Sequence, residues 1–235
     1  MKFIALTLSI WFTMCSYSTA QDAQPIRVKA GANPTNAISF AERYQYPEFQ
    51  SGKLIYTNGS ASTARFNYNR LLGEMHFIDV KGDTLALSGD PAIQAVSLGQ
   101  NLFYYEYPKQ YWMLVTDYDS GKLMIKQNII LIDREKQGGY NQSTGASSIR
   151  NTTSYATSNG SLAKLNSQAD MLFAKKDEYK LMDKNKKFYA ANQSGILSLY
   201  SKNKQAVKQY LKENTIDFRQ EADLKKVLEF CATLP

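Results

Sequence analysis

Lys53-Leu54-Ile55-Tyr56-Thr57, then Asn58-Gly59, then Ser62-Thr63-Ala64-Arg65-Phe66-Asn67-Tyr68-Asn69 is the stretch that decides the fold. Asn-Gly between two apolar-rich runs is the strongest short hairpin signal, because both residues tolerate the positive φ that a tight turn between antiparallel strands needs. On the return run Ala64, Phe66 and Tyr68 fall on one face and Arg65, Asn67 and Asn69 on the other. That period of two predicts a half-buried strand with its polar face outward.

The same reading extends downstream. Glu74-Met75-His76-Phe77-Ile78, a Lys81-Gly82-Asp83 turn and Thr84-Leu85-Ala86-Leu87 predict a second hairpin. Further strands fit residues 92–98, 101–107, 111–117 and 122–132, separated by Gly99, Pro108 and Asp119-Ser120-Gly121. Closely spaced strands without intervening helices imply an antiparallel meander, built as a sandwich, a roll or a partial barrel. Residues 137–168 break the pattern: 22 of these 32 are Ser, Thr, Asn, Gly or Gln, which predicts a polar flexible loop or linker. Beyond it, residues 171–174, 178–182 and 187–189 suggest short strands. Ala206, Val207, Tyr210 and Leu211, then Leu224, Val227, Leu228 and Cys231, follow helical spacing. The expected class is therefore α+β: an antiparallel β domain over residues 21–136, the polar segment, and a basic β/helical segment over residues 169–235.

The N-terminus predicts export. Met1-Lys2, an apolar run from residue 3 to 12 and the small-residue exit Ser18-Thr19-Ala20 have the layout of a cleavable signal peptide, residues 1–20. A membrane span needs about 20 apolar residues, and no other stretch is long enough, so no transmembrane segment is expected after cleavage. A lipidated Cys15 is the alternative, although Met14 stands where a small residue belongs. Cleavage after Ala20 leaves Cys231 as the one thiol, placed on the apolar face of the last helix, where core packing outweighs reactivity.

The formal charge is +7 over 235 residues, and from Lys164 onward 14 Lys/Arg stand against 9 Asp/Glu. These lysines alternate with acids on amphipathic helices, which describes a solvated face, and nucleic-acid binding is not expected. With His76 the sole histidine, no His/Cys zinc site can be assembled in one chain. There is no Gly-x-Ser-x-Gly elbow, no Gly-x-Gly-x-x-Gly and no phosphate-binding loop, so no cofactor is implied. Asp117-x-Asp119-x-Gly121 reads as a hairpin turn, since Asn128 stands where a calcium loop needs Glu.

Three weaker signals remain. Glu74 and His76 share a strand face, either as a carboxylate–imidazole pair or as a plain polar exterior. Phe103-Tyr104-Tyr105-Glu106-Tyr107 with Tyr111-Trp112 is the densest aromatic stretch. Tyr104, Tyr111 and Trp112 are the candidate binding residues, as a stacking platform for a glycan; the competing reading lines the core with Phe103, Tyr105 and Tyr107. Carboxylates for glycan hydrolysis are available at Glu74, Asp79, Asp83, Asp90, Glu106 and Asp117, but their spacing selects no pair.

Asn67-Tyr68-Asn69, Gly73-Glu74-Met75-x-Phe77-Ile78, Gly82-Asp83-Thr84-Leu85-Ala86, Phe103-Tyr104-Tyr105, and in the tail Asp183-Lys184-Asn185-x-Lys187-Phe188-Tyr189 with Asn214-x-Ile216-Asp217-Phe218 and Asp223-Leu224 resemble a family of secreted proteins of Bacteroidetes. The resemblance covers most of the mature chain and carries no assigned activity. It implies a Gram-negative envelope, periplasm or cell surface. Asp83-Thr84-Leu85 resembles the short O-glycosylation motif of that phylum, which would make Thr84 an acceptor. The functional expectation is a non-enzymatic binding or accessory module that meets a glycan or an envelope protein; the alternative is a carboxylate-dependent glycan hydrolase.

Overall fold

The computed structural model describes residues 24–87, 89–108, 110–118, 120–136 and 169–235. The predicted signal peptide and the polar segment 137–168 lie outside the described residues.

The antiparallel meander is present as one large sheet. Its strands are β1 (Ile26–Val28), β2 (Gln50–Tyr56), β3 (Ala61–Asn69), β4 (Glu74–Ile78), β5 (Thr84–Ala86), β6 (Ile93–Leu98), β7 (Asn101–Glu106), β8 (Gln110–Tyr118), β9 (Gly121–Lys136), β10 (Ala169–Met182) and β11 (Phe188–Ala190). Their order is β1-β10-β9-β8-β7-β6-β2-β3-β4-β5, with β11 beside β10. The β2–β3 hairpin turns at Asn58-Gly59 as expected. Gly59 takes φ 84°, and the Tyr56 amide donates to the Ser60 carbonyl at 2.9 Å.

The sheet curls strongly without closing, which selects the partial barrel among the three forms expected. Two bonds bring β3 toward β9, five places away in strand order. The Ile129 amide donates to the Arg70 carbonyl at 2.9 Å, and the Tyr68 hydroxyl donates to Asn128 Oδ1 at 3.1 Å. Glycine at position 52 permits part of the curl: a Cβ there would stand 2.6 Å from the Ser97 carbonyl oxygen and 3.0 Å from the Phe66 ring. Within the curl Leu54, Phe66, Tyr68, Met75, Val96, Leu98 and Phe103 form the main core. Phe66 and Tyr68 are buried on the predicted face.

The remaining concave surface of the β9–β10 ribbon is covered at its two ends. At one end α3 (Gln193–Leu199), α4 (Lys204–Glu213) and α5 (Glu221–Ala232) pack Ile196, Val207, Leu224 and Leu228 against Leu123 and Leu181. Cys231 belongs to this core, and burial pushes its thiol up to about 12. At the other end α1 (Pro34–Ala37) and the Leu71 turn cover Ile129, Leu131, Met171 and Phe173.

Three sequence expectations are corrected. Residues 171–174 and 178–182 are not separate strands but parts of β10, paired with β9 along its whole length. The polar run Lys175-Lys176-Asp177 hides this continuity, since all three side chains are exposed while their backbones stay in the ladder. One sheet thus spans the division drawn at residues 137–168. Second, Asn67 and Asn69 are buried, not outward. Asn67 bonds the backbone of Tyr46 and Glu48, and Asn69 Oδ1 accepts from the Leu71 and Leu72 amides. The cover over that face comes from residues 44–49 and from α2 (Phe40–Arg43), which Ser39 and Glu42 begin with a reciprocal capping box. Third, residues 26–43, for which no element is predicted, contain β1, α1 and α2. β1 is held to β10 by Asp170, which accepts from the Ala30 amide at 2.9 Å and pairs with Arg27 and Lys29.

Candidate binding site

The aromatic strand residues separate by face. Tyr111 is 3% exposed and points into the curl beside Tyr105, with ring centroids 5.0 Å apart. Its hydroxyl is buried and has no hydrogen-bond partner among the described residues; burial pushes it well above the ordinary phenol range. Trp112 lies on the convex face and is 2% exposed. Its ring is covered by the Lys126 and Lys180 ammonium groups, 4.7 and 4.9 Å from the ring centroid, and by Phe188. Nε1 donates to Glu106 Oε2 at 2.8 Å, and Lys180 binds both oxygens of the same carboxylate. Tyr104 packs half-buried beside this cluster.

The stacking platform expected from Tyr104, Tyr111 and Trp112 is therefore not formed. Two of the three rings have no open face, and Tyr111 and Trp112 point to opposite sides of the sheet. The core reading holds for Phe103 and Tyr105, whereas Tyr107 is 63% exposed.

Glu74 and His76 do meet. His76 Nε2 stands 3.2 Å from Glu74 Oε2, and Nδ1 is 2.9 Å from the Tyr44 hydroxyl. With neutral imidazole the phenol donates to Nδ1 and Nε2–H donates to the carboxylate, so both ring nitrogens are used. Burial raises the Tyr44 hydroxyl above its usual range. Tyr44 stacks under Phe40 at 4.4 Å and meets Phe49 at 5.4 Å, so aromatic rings roof the row. The polar-exterior reading of His76 fails, because α2 and residues 44–49 cover it.

Thr84 is exposed on β5, the last strand of the sheet. Among the described residues, no three His, Cys, Asp or Glu side chains gather as a metal site, and no helix is long and apolar enough to cross a membrane.

Room for a ligand lies elsewhere, in a polar cleft of about 520 Å³ beside α3, lined by Gln193, Ser194, Ser198 and Lys204 among others, and in a more apolar one. The latter, an open cleft of about 480 Å³, lies at one end of the curl, between the β2–β3 and β4–β5 hairpins. Leu54 and Phe66 form part of its lining, with Tyr56, Ala64, Phe77, Val80 and Leu87 around them. Tyr56, Ala64, Phe77 and Leu87 are only half-buried, although they pack on the main core. Asp79 is the one carboxylate in the lining among the described residues, and its Oδ1 accepts from the Lys81 and Asp83 amides. Val80 is fully exposed at the lip. The size falls within the range of small-ligand sites, which are concave, mostly apolar and marked by a few polar groups. Sequence reasoning missed it because its walls come from three strands and a loop, each read singly as core or turn.

No protein-family model, no curated protein and no solved structure matches this chain.

Proposed function

We propose that this chain is an exported, non-enzymatic binding module of a Gram-negative envelope, and that it holds its ligand in the apolar cleft between the β2–β3 and β4–β5 hairpins. The cleft carries the reading: Tyr56, Ala64, Phe77 and Leu87 present half-buried apolar surface to solvent, continuous with the buried Leu54 and Phe66 at its floor. Water in such a cleft is displaced favourably by an apolar group, at about 25 cal/mol per Å² of apolar surface covered. Export rests on the signal-peptide layout of residues 1–20 and on the resemblance to secreted proteins. Binding through a glycan platform loses its support with the rings of Tyr111 and Trp112 covered, and hydrolysis would need a second carboxylate in a cleft whose lining holds Asp79 alone.

The test uses the protein without residues 1–20 and the apolar dye anilinonaphthalene sulfonate. Saturable fluorescence enhancement, lost when Ala64→Phe fills the cleft, is the expected result. Enhancement that Ala64→Phe leaves unchanged would place the dye elsewhere and defeat the reading.

A further inference from the structure

We infer that the occupant of this cleft is an extended, basic peptide segment of another protein, which adds to the sheet as a strand beside β5. The inference rests on the cleft reading above and deepens it.

Among the described residues, β5 pairs with β4 alone and ends the sheet. The ladder fixes which of its backbone groups are free. The Asp79 amide donates to the Asp83 carbonyl at 3.0 Å, and the Leu87 amide donates to the Met75 carbonyl at 2.8 Å. In an antiparallel pair the bonded positions alternate, so residues 83, 85 and 87 turn their polar groups toward β4. Thr84 and Ala86 therefore turn their N–H and C=O groups away from the sheet, where a guest strand would meet two donors and two acceptors. Edge strands of this kind recruit extended peptides, the backbone giving affinity and alternate side-chain pockets giving specificity.

The pockets lie in register. Leu85 pairs with Phe77, so both side chains lie on the concave face that holds the cleft, and Leu85 is 45% exposed. A guest residue opposite Leu85 would project to that same face beside Leu85, one strand further out than Phe77, and the apolar residue two positions along would stand beside Leu87, which lines the cleft. Charge sets the remaining preference. Over residues 79–90, Asp79, Asp83 and Asp90 stand against Lys81, giving −2 locally in a chain of +7. A lysine- or arginine-bearing strand complements that rim, and an acidic one is repelled.

The experiment titrates a fluorescein-labelled ten-residue peptide of alternating Lys and Val, and its Glu–Val counterpart, into the protein lacking residues 1–20, by anisotropy. Ala86→Pro and, as a second variant, Thr84→Pro each remove one outward N–H while leaving the bonds to β4 in place. Saturable binding of the Lys–Val peptide, weakened at least tenfold by either proline and at least tenfold weaker for Glu–Val, is expected, with dye enhancement in the cleft retained. If dye binding persists and responds to Ala64→Phe while peptide binding is absent or indifferent to both prolines, strand addition is overturned and the cleft reading stands. If the dye is never enhanced, the cleft reading falls and takes this inference with it. A dimer in sedimentation that either proline dissolves would name a second copy as the occupant and also overturn it.

Discussion

The indole Nε1 of Trp112 on β8 donates to Glu106 Oε2 on β7 at 2.8 Å, and that carboxylate is in turn gripped by Lys180 on β10. The network has its charged groups at the surface, with a quarter of the Glu106 and Lys180 side chains exposed, yet it hides the largest ring among the described residues. Lysine stems cover apolar surface while their ammonium groups stay near water, here attracted to the indole face as well. Trp112 is therefore a core residue on the outside of the curl.

In protein prepared without residues 1–20, Trp112 is the sole tryptophan, and its emission is expected to be blue-shifted and poorly quenched by acrylamide. Trp112→Ala is expected to cost about 3–5 kcal/mol, as for other buried large-to-small changes. Glu106→Gln keeps an acceptor for the indole and loses the ion pair, so its cost is expected below about 1 kcal/mol. Solvent-exposed emission with a harmless Trp112→Ala would restore the stacking platform.

Gly59 takes φ 84° at the Asn58-Gly59 turn and has open space around it, so strain alone decides a substitution there. Gly59→Val is expected to destabilise by about 1–3 kcal/mol in urea titrations, since a β-branched residue is forced to positive φ. Gly52→Ala should also destabilise, for the opposite reason: its φ is ordinary and the Ser97 carbonyl occupies the space. An unchanged midpoint for either variant would contradict the corresponding geometry.

The hairpin was legible because an Asn-Gly turn and the alternation of Ala64, Phe66 and Tyr68 are local facts. What lay beyond local pattern was the second cover. Asn67, Asn69 and His76 look like an exterior until residues 44–49 arrive over them with backbone partners for the amides. In the same way Lys126 and Lys180, distant in sequence, decide the fate of Trp112. The Glu74–His76 contact followed from strand parity, but its third member, Tyr44, comes from a helix end with no pattern linking it to β4.

Asp170 gives the fold an acid-sensitive clasp between β1 and β10. The Ala30 amide, with Lys29 and Arg27, holds its carboxyl below the usual range against the cost of burial. A carboxyl depressed in the folded state stabilises above its unfolded pKa, about 3.9, and that stability is lost as pH falls through the folded value. Urea midpoints should therefore be insensitive to this group from pH 7 to 5 and fall below about pH 4. Asp170→Asn should lower the midpoint at neutral pH and flatten the acid limb; an unaltered acid limb would show that the clasp does not carry it.

Tyr111 offers the sharpest separation between a binding residue and a packing residue. Its ring fills the curl against Tyr105, and a small void lies nearby among Tyr68, Phe103, Met113 and Ile125. The hydroxyl sits buried with no hydrogen-bond partner among the described residues. An orphaned buried hydroxyl costs about 1–3 kcal/mol of desolvation, and removing it without changing the ring is neutral or stabilising. Tyr111→Phe is therefore expected to leave stability unchanged or to raise it by about 1 kcal/mol, with dye binding in the cleft unaffected. Tyr111→Ala should instead cost several kcal/mol through the cavity it leaves. A Tyr111→Phe protein that is markedly less stable would mean that the hydroxyl has a partner in solution, and one that folds normally but loses its ligand would return Tyr111 to the binding surface.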